Sequence, residues 1–165
     1  MTVTTTIKAS LLITLTCNKS QSLGDPTAGL VTVPQNLGNV AQTWDASTNP
    51  NGLDSWSGLV AMTAGTATID LTALAQAGLS TTVNATGLKL RAIEVQASPG
   101  NAAPIEVQPG ASNGYPSVGT ISALGPGDIA VKTTSSAVAV DSTDKTITIT
   151  GTGTDSCELL LVFGS

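Results

Sequence analysis

Two pairs of carboxylates are the residues in this sequence best suited to acid–base chemistry. They are Asp141 with Asp144 and Glu94 with Glu106. Paired carboxylates are the acid and base of glycosidases, so the corresponding reaction would be hydrolysis of a glycosidic bond. The local sequence favours structural roles, because Asp at both ends of Asp141-Ser-Thr-Asp144 is typical of a β-turn. The two glutamates fall at outward-facing strand positions, where a solvated charge is usual.

Histidine, the commonest general acid–base residue, is absent from all 165 residues. The Gly-x-Ser-x-Gly and P-loop patterns are absent too. We therefore expect no enzymatic activity, no catalytic residue and no cofactor.

The segment from Asp45 to Asp54 collects several oxygen-bearing side chains, which are the ligands that Ca²⁺ prefers. Its spacing does not match an EF-hand, and the same residue types are common in ordinary turns. Two cysteines without histidine do not make a typical zinc site. We predict no metal site and leave calcium at this loop as the alternative.

Three aromatic residues are candidates for contact with a partner. Trp44 and Trp56 bracket the loop, and Tyr115 lies in a turn region beside Pro116. Exposed Trp and Tyr rings stack on sugars or anchor protein interfaces. The alternative is that the rings fill the core beneath their loops. With Val3 and Ile7 from the N-terminal segment, these three complete the predicted partner-binding set.

The two cysteines, Cys17 and Cys157, lie far apart in the sequence near the ends of predicted terminal strands. A disulfide between them is geometrically possible if those strands are neighbours. Two buried, reduced thiols are the favoured interpretation, because free cysteine behaves as a small buried hydrophobic residue.

Residues 2–16 alternate between apolar and polar types, which predicts a β-strand. A straight strand of this length would reach roughly 50 Å, whereas a domain of this size is roughly 40 Å across. The strand must therefore bend or leave the body of the domain. We favour the second alternative and predict that residues 1–8 form an extended N-terminal arm.

The remaining elements are shorter. Residues 18–60 read as loop-rich, and residues 71–77 as a short helix with Asp70 as its N-terminal cap. A one-residue slip in the alternation of residues 87–97 predicts a β-bulge near Ala92.

Turn residues recur every 8–12 positions through the second half of the chain, a spacing typical of sandwiches and barrels. The last strand, Leu159-Leu-Leu-Val-Phe163, is apolar on both faces. It is therefore either central in a sheet or covered by a neighbouring subunit. We predict an all-β fold, an antiparallel, jelly-roll-like β-sandwich, in which residues 1–165 form one domain.

The net charge of −5 and the six scattered Lys and Arg residues argue against binding to nucleic acid. No apolar segment is long enough to span a membrane, and the N-terminus does not resemble a signal peptide. We expect production in a cytoplasm. Only 10% of the residues are charged, less than a free monomer usually carries, which indicates surfaces covered in an assembly.

From residue 66 onward the chain resembles small β-sandwich virion proteins of tailed bacteriophages that decorate or cement capsids. The segments that carry the resemblance are Thr68-Ile-Asp-Leu-Thr-Ala-Leu-Ala-Gln-Ala-Gly78, Leu88-Lys-Leu-Arg-Ala-Ile-Glu-Val95, Ala103-Pro-Ile-Glu-Val-Gln-Pro-Gly-Ala-Ser-Asn-Gly-Tyr115, Leu124-Gly-Pro-Gly127, Thr146-Ile-Thr-Ile-Thr-Gly-Thr-Gly153 and Leu159-Leu-Leu-Val162. The resemblance implies jelly-roll-like subunits, often trimeric, that sit on the capsid lattice.

The predicted function is therefore that of a virion structural protein, most specifically a capsid decoration protein. It would form a homo-oligomer, with a trimer favoured by the resemblance, and bind the major capsid protein of the assembled shell. The alternative is a receptor- or glycan-binding module, in which Trp44 and Trp56 would contact the ligand.

Overall fold

The structure, a computed structural model, describes residues 8–22, 30–45, 54–75 and 82–165, with side chains in the last two ranges only. The chain divides into two units, one of Ala9–Thr43 and a larger one that includes Trp44–Ser165. From the sequence we predicted a single domain over residues 1–165 and did not anticipate this division. The predicted arm over residues 1–8 lies outside the described residues, except for Lys8.

The smaller unit contains most of a two-stranded sheet, which pairs β1 (Lys8–Ser22) with β2 (Leu30–Asp45). The strand predicted over 2–16 is confirmed from Lys8 onward. The prediction that 18–60 is loop-rich is wrong where β1 and β2 occupy it, and also at the strand that begins at Asp54. Pro34 lies within β2, because each strand of a two-stranded sheet is an edge, where a residue without an N–H is tolerated.

The larger unit is built from eight principal strands, one short hairpin and a 3₁₀ turn. The principal strands are β3 (Asp54–Ala61), β4 (Thr66–Asp70), β7 (Lys89–Ala97), β8 (Ile105–Pro109), β9 (Ile121–Leu124), β10 (Ile129–Thr133), β11 (Thr146–Thr150) and β12 (Ser156–Gly164). The hairpin pairs β5 (Leu74–Ala75) with β6 (Thr82–Val83), and the 3₁₀ turn covers Pro116–Val118.

The eight principal strands form two antiparallel sheets of four. Their orders are β10-β7-β12-β3 and β4-β11-β8-β9. If these strands are numbered one to eight along the chain, the first sheet, read from β3, has the order 1-8-3-6. The second sheet, read from β4, has the order 2-7-4-5. Strand pairs one–eight, two–seven, three–six and four–five are thus neighbours, as in a jelly roll, where a long antiparallel ribbon wraps around one core. The all-β fold predicted from the sequence is confirmed.

Both sheets contribute to one hydrophobic core. Trp56, Ile93 and Leu161 come from one sheet, while Val107 and Ile149 come from the other. Strand β12 pairs with β7 on one side and with β3 on the other. It is therefore the central strand that its apolar sequence predicted, since a central strand is covered along both edges.

The bulge predicted near Ala92 is confirmed. Across from it, Val162 pairs with Ala92 and Phe163 pairs with Leu90, so Arg91 is the additional residue on β7. The extra residue changes the phase of the alternation, and as a result Leu90 and Ile93 both face the core.

The short helix predicted over 71–77 is wrong within the described part of that segment. Residues 71–73 form a turn and Leu74–Ala75 form β5. Asp70 does bond the following backbone, but its Oδ1 accepts from the N–H of Thr72 at 2.9 Å and from the Thr72 hydroxyl at 2.6 Å. This local bonding closes a turn, which competes with the first turn of a helix.

Candidate interaction surfaces

The two predicted carboxylate pairs have structural surroundings. The Asp141 Oδ1 accepts the N–H groups of Thr143 at 2.6 Å and Asp144 at 2.8 Å, which is the turn that the sequence indicated. These hydrogen bonds, from Thr143 first, hold the pKa of Asp141 below its ordinary value. Glu94 lies on β7 and Glu106 on β8, on the outer faces of different sheets. The structure therefore does not bring the two glutamates together.

Among the described residues, no group of three or more His, Cys, Asp or Glu side chains is arranged to hold a metal ion. The calcium alternative concerned the loop between Asp45 and Asp54. Residues 46–53 of that loop lie outside the described residues.

Trp56 is buried in the larger unit, with 7% of its surface exposed. Its indole N–H donates to the backbone oxygen of Ala75 at 2.7 Å, which links β3 to β5. The ring also lies across Gly58, because a Cβ at Gly58 would approach its Cζ2 atom to 2.6 Å. This environment matches the core alternative for Trp56, and the ring offers little surface to a glycan or protein partner.

Tyr115 is fully buried. Its hydroxyl accepts the N–H of Leu90 at 3.0 Å and donates to the backbone oxygen of Val138 at 2.6 Å. Burial raises the pKa of this phenol. Tyr115 thus ties the turn region to β7 beside the bulge, which again matches the core alternative.

The other predicted partner-binding residues have no described side chain. Trp44 lies in β2, where only the strand assignment is described. Val3 and Ile7 lie outside the described residues. Their contacts with a partner therefore stay predictions.

The outer face of the β10-β7-β12-β3 sheet carries large apolar side chains that are exposed to solvent. Leu59 is 68% exposed, Ile129 57% and Leu160 40%. The strand registers place its residues in two rows across the sheet. The rows are Ile129–Gln96–Glu158–Leu59 and Val131–Glu94–Leu160–Ser57. We call these eight residues the leucine face. The two glutamates on it have no partner among the described residues.

The sequence indicated only part of the leucine face. The apolar run of β12 raised the alternative of a covering subunit, and Leu160 is the exposed residue of that run. Leu59 and Ile129 were missed. Each occupies an outward-facing position of a short strand, and the sequence of such a strand does not show which of its two faces is turned to the core.

The outer face of the other sheet is rich in threonine. Its cross-strand rows are Thr68–Thr148–Gln108 and Thr66–Thr150–Glu106. We call these six residues the threonine face. The hydroxyl oxygens of Thr68 and Thr148 are 3.5 Å apart. None of the large hydrophobic residues exposed in the described ranges lies on this face.

An ion pair borders the threonine face. The Lys145 ammonium donates to the Asp70 Oδ2 at 2.6 Å, and both side chains are partly exposed. Burial opposes ionisation of Asp70, but the hydrogen bonds from Lys145 and Thr72 outweigh it and lower the pKa of the carboxyl. Because the pair is partly exposed, solvent limits its contribution to stability.

Asp155 holds one end of the sandwich together. Its carboxylate accepts the N–H of Ala102 at 2.7 Å and that of Thr152 at 3.0 Å. The hydrogen bond from Ala102 is the main reason that the pKa of Asp155 lies below its ordinary value. The Asp155 side chain therefore has a structural role.

Cys157 is a free, buried thiol, as predicted for this residue, whereas the side chain of Cys17 is not among those described. Burial raises its pKa to about 11. The thiol is therefore protonated at neutral pH and is a poor nucleophile.

No protein-family model, curated protein or solved structure matches this chain. Within the described ranges, no helix has the length and apolar character needed to cross a membrane.

Proposed function

We propose that this protein is a virion structural protein, a capsid decoration protein of a tailed bacteriophage. It forms a homo-oligomer, favoured to be a trimer, and binds the major capsid protein of the assembled shell. The resemblance of residues 66–165 to such proteins suggests the class. The structural support comes from a jelly-roll strand order and from an outer sheet face that exposes apolar side chains.

The leucine face is the observation that carries the proposal. Leaving a leucine or isoleucine in water forfeits roughly 1.5–3 kcal/mol relative to full burial. Leu59 and Leu160 lie on neighbouring strands, two residues apart along the register and on the same face, so a partner can cover both at once. Clustered exposed apolar residues with polar neighbours are typical of protein interaction sites.

The proposed mechanism is passive. A protein that binds only the assembled shell stabilises that state by mass action, and no reaction is required. Glu94 and Glu158 would meet basic groups on the shell, since no cation lies in the two rows of the face. Such contacts weaken as salt screens them.

The test is co-sedimentation of the purified chain with assembled shells of the phage that encodes it. We expect the wild-type chain to pellet with shells. The double variant Leu59→Ser, Leu160→Ser should bind at least about tenfold more weakly, because two apolar contacts are lost.

The matched control is Thr68→Ser, Thr148→Ser on the threonine face, which also replaces two adjacent outward residues with serine. We expect it to bind shells like the wild type. Failure of the wild-type chain to bind shells would contradict the proposed function. Equal loss of binding in both double variants would contradict the role of the leucine face.

A further inference from the structure

A small hollow lies on the leucine face, and three of its lining residues belong to one row of that face. Its volume is about 130 Å³, well below the roughly 300–1,000 Å³ of sites for drug-sized ligands. The residues that line it are Leu59, Gln96, Ala97, Ser98, Pro99 and Glu158. A hollow of this size suits a single side chain of a partner protein.

The wall of the hollow that Ser98 and Pro99 form is held in place by hydrogen bonds. The N–H of Asn101 donates to the backbone oxygen of Ser98 at 3.1 Å, which closes a turn after β7. The Asn101 side chain bonds β12 twice, since its Nδ2 donates to the Ser156 backbone oxygen at 2.9 Å and its Oδ1 accepts the Ser156 N–H at 2.8 Å. Pro99 restricts the turn further through its fixed φ. The wall is therefore preformed, which lowers the entropy cost of binding.

Glu158 is the single charged residue among those that line the hollow. Leu59 lies directly across the register from it, and Leu160 follows it on the same face of β12. A partner that covers both leucines therefore covers Glu158 as well. Burial of a carboxylate without a counter-charge is strongly unfavourable, and no cation within the described ranges pairs with Glu158. The partner must therefore supply the positive charge.

The other lining groups favour arginine as the source of that charge. Leu59 and Pro99 offer apolar surface to an aliphatic stem. Gln96 lies across the register from Glu158 on the neighbouring strand, so an amide and a carboxylate are adjacent acceptors. A guanidinium has five N–H donors in a planar fork and can serve both acceptors, whereas an ammonium is a point charge. Arginine is also enriched at protein interfaces.

We propose that this hollow binds one arginine side chain of the major capsid protein. The guanidinium contacts Glu158 and Gln96, and the stem lies against Leu59 and Pro99. The inference rests on the proposed function, because the shell supplies the arginine. Glu158 then makes the leucine face selective, since an apolar surface without a cation at this position would leave a buried carboxylate unpaired.

Co-sedimentation of two matched variants with assembled shells tests the inference. Glu158→Gln and Glu94→Gln each remove one negative charge from the leucine face, but only Glu158 lines the hollow. We expect Glu158→Gln to bind shells about thirtyfold more weakly or worse, as expected when a buried charge pair loses one partner. Glu94→Gln should bind no more than about fivefold more weakly, the range of an exposed ion pair. Equal losses in the two variants, or unchanged binding of Glu158→Gln, would overturn the inference.

A second experiment needs no shells. Nα-acetyl-arginine amide is titrated into the labelled full-length chain, and the NMR signals of the Leu59 methyl groups and the Gln96 side-chain amide are followed. We expect both to shift in the wild type and not in Glu158→Gln. Nα-acetyl-norleucine amide, which has an aliphatic side chain without the charge, should shift neither. Equal shifts with Nα-acetyl-lysine amide would overturn the assignment to arginine, and no shift with the arginine probe would overturn the site.

The two experiments separate this inference from the proposed function. A wild-type chain that fails to bind shells contradicts the proposed function, and the NMR titration then decides by itself whether the hollow binds arginine. A chain that binds shells without any special loss in Glu158→Gln keeps the proposed function and loses only this contact.

Discussion

The leucine face and the threonine face are built on sheets of four antiparallel strands, yet they present opposite chemistry to solvent. On the first, Leu59 and Ile129 are more than half exposed. On the second, the outward positions that pair across β4 and β11 are filled by threonine. The β-branched threonine suits the pleated surface of a strand and keeps a hydroxyl in water.

The comparison shows that a low charge content has two different structural meanings in this molecule. The threonine face is uncharged over most of its area and remains hydrated through hydroxyl groups. The leucine face has two glutamates without a partner among the described residues, and the free energy falls when its apolar groups are covered. Only the second face is expected to recruit a partner.

The largest expected effect distinguishes the two sides of β12. Leu161 is fully buried and Leu160, its neighbour in the sequence, is 40% exposed. Leu161→Ala should lower the free energy of unfolding by about 2–5 kcal/mol, because it leaves a cavity in the core. Leu160→Ala should change stability by less than about 1 kcal/mol and weaken shell binding instead. Urea denaturation of both variants measures this, and equal destabilisation would break the distinction between the inner and outer residues.

The second prediction concerns Tyr115, which supports the bulge that sets the phase of β7 and so places Glu94 and Gln96 on the leucine face. Tyr115→Phe removes the hydroxyl that accepts the buried N–H of Leu90. An unsatisfied buried donor costs about 1–3 kcal/mol. Thermal unfolding should show this loss, and a Tyr115→Phe variant as stable as the wild type would mean that the Leu90 N–H finds another acceptor.

The smallest effect concerns the ion pair beside the threonine face. The pKa of Asp70 is lower in the folded chain than in the unfolded one, so the ionised carboxylate stabilises the fold. That contribution is fully present above the ordinary pKa of aspartate, about 4, and is lost as the pH falls through the lowered value. Asp70→Asn should therefore cost no more than about 1 kcal/mol at pH 7. It should also make stability less dependent on pH below 4.

Denaturation of the wild-type and Asp70→Asn chains at pH 7 and pH 3 provides the measurement. The difference in stability between them should shrink at the lower pH, because protonation removes the same interaction. A difference that grows on acidification would contradict the sign of the pKa shift.

Regions with a clear period of two were predicted well from the sequence. The central position of β12 followed from an apolar run on both faces, and the bulge at Arg91 from a one-residue slip in the alternation. Both signals are local, since each is contained within a single strand.

The failures arose where local preference competes with long-range pairing. Residues 71–77 have helix-forming composition, but the N–H of Leu71 donates to the backbone oxygen of Lys145, which joins this segment to the sheet. The sequence did not show whether Trp56 is buried or exposed, because the group that accepts its indole N–H, the backbone oxygen of Ala75, lies 19 residues away in the chain. The glycine at position 58, which leaves room for the indole, was the signal available in the sequence.

The sequence by itself determined that the chain forms β-strands, where β7 bulges, and that it lacks histidine and has little charge. These properties follow from residue types and from spacing along a single strand. Only the tertiary structure decided that Leu59 and Ile129 are exposed while Leu161 is buried, and that β3 and β4 lie at the edges of the two sheets. Those outcomes depend on pairing between strands as distant in sequence as β3 and β12, and alternation within one strand does not specify which strand lies beside it.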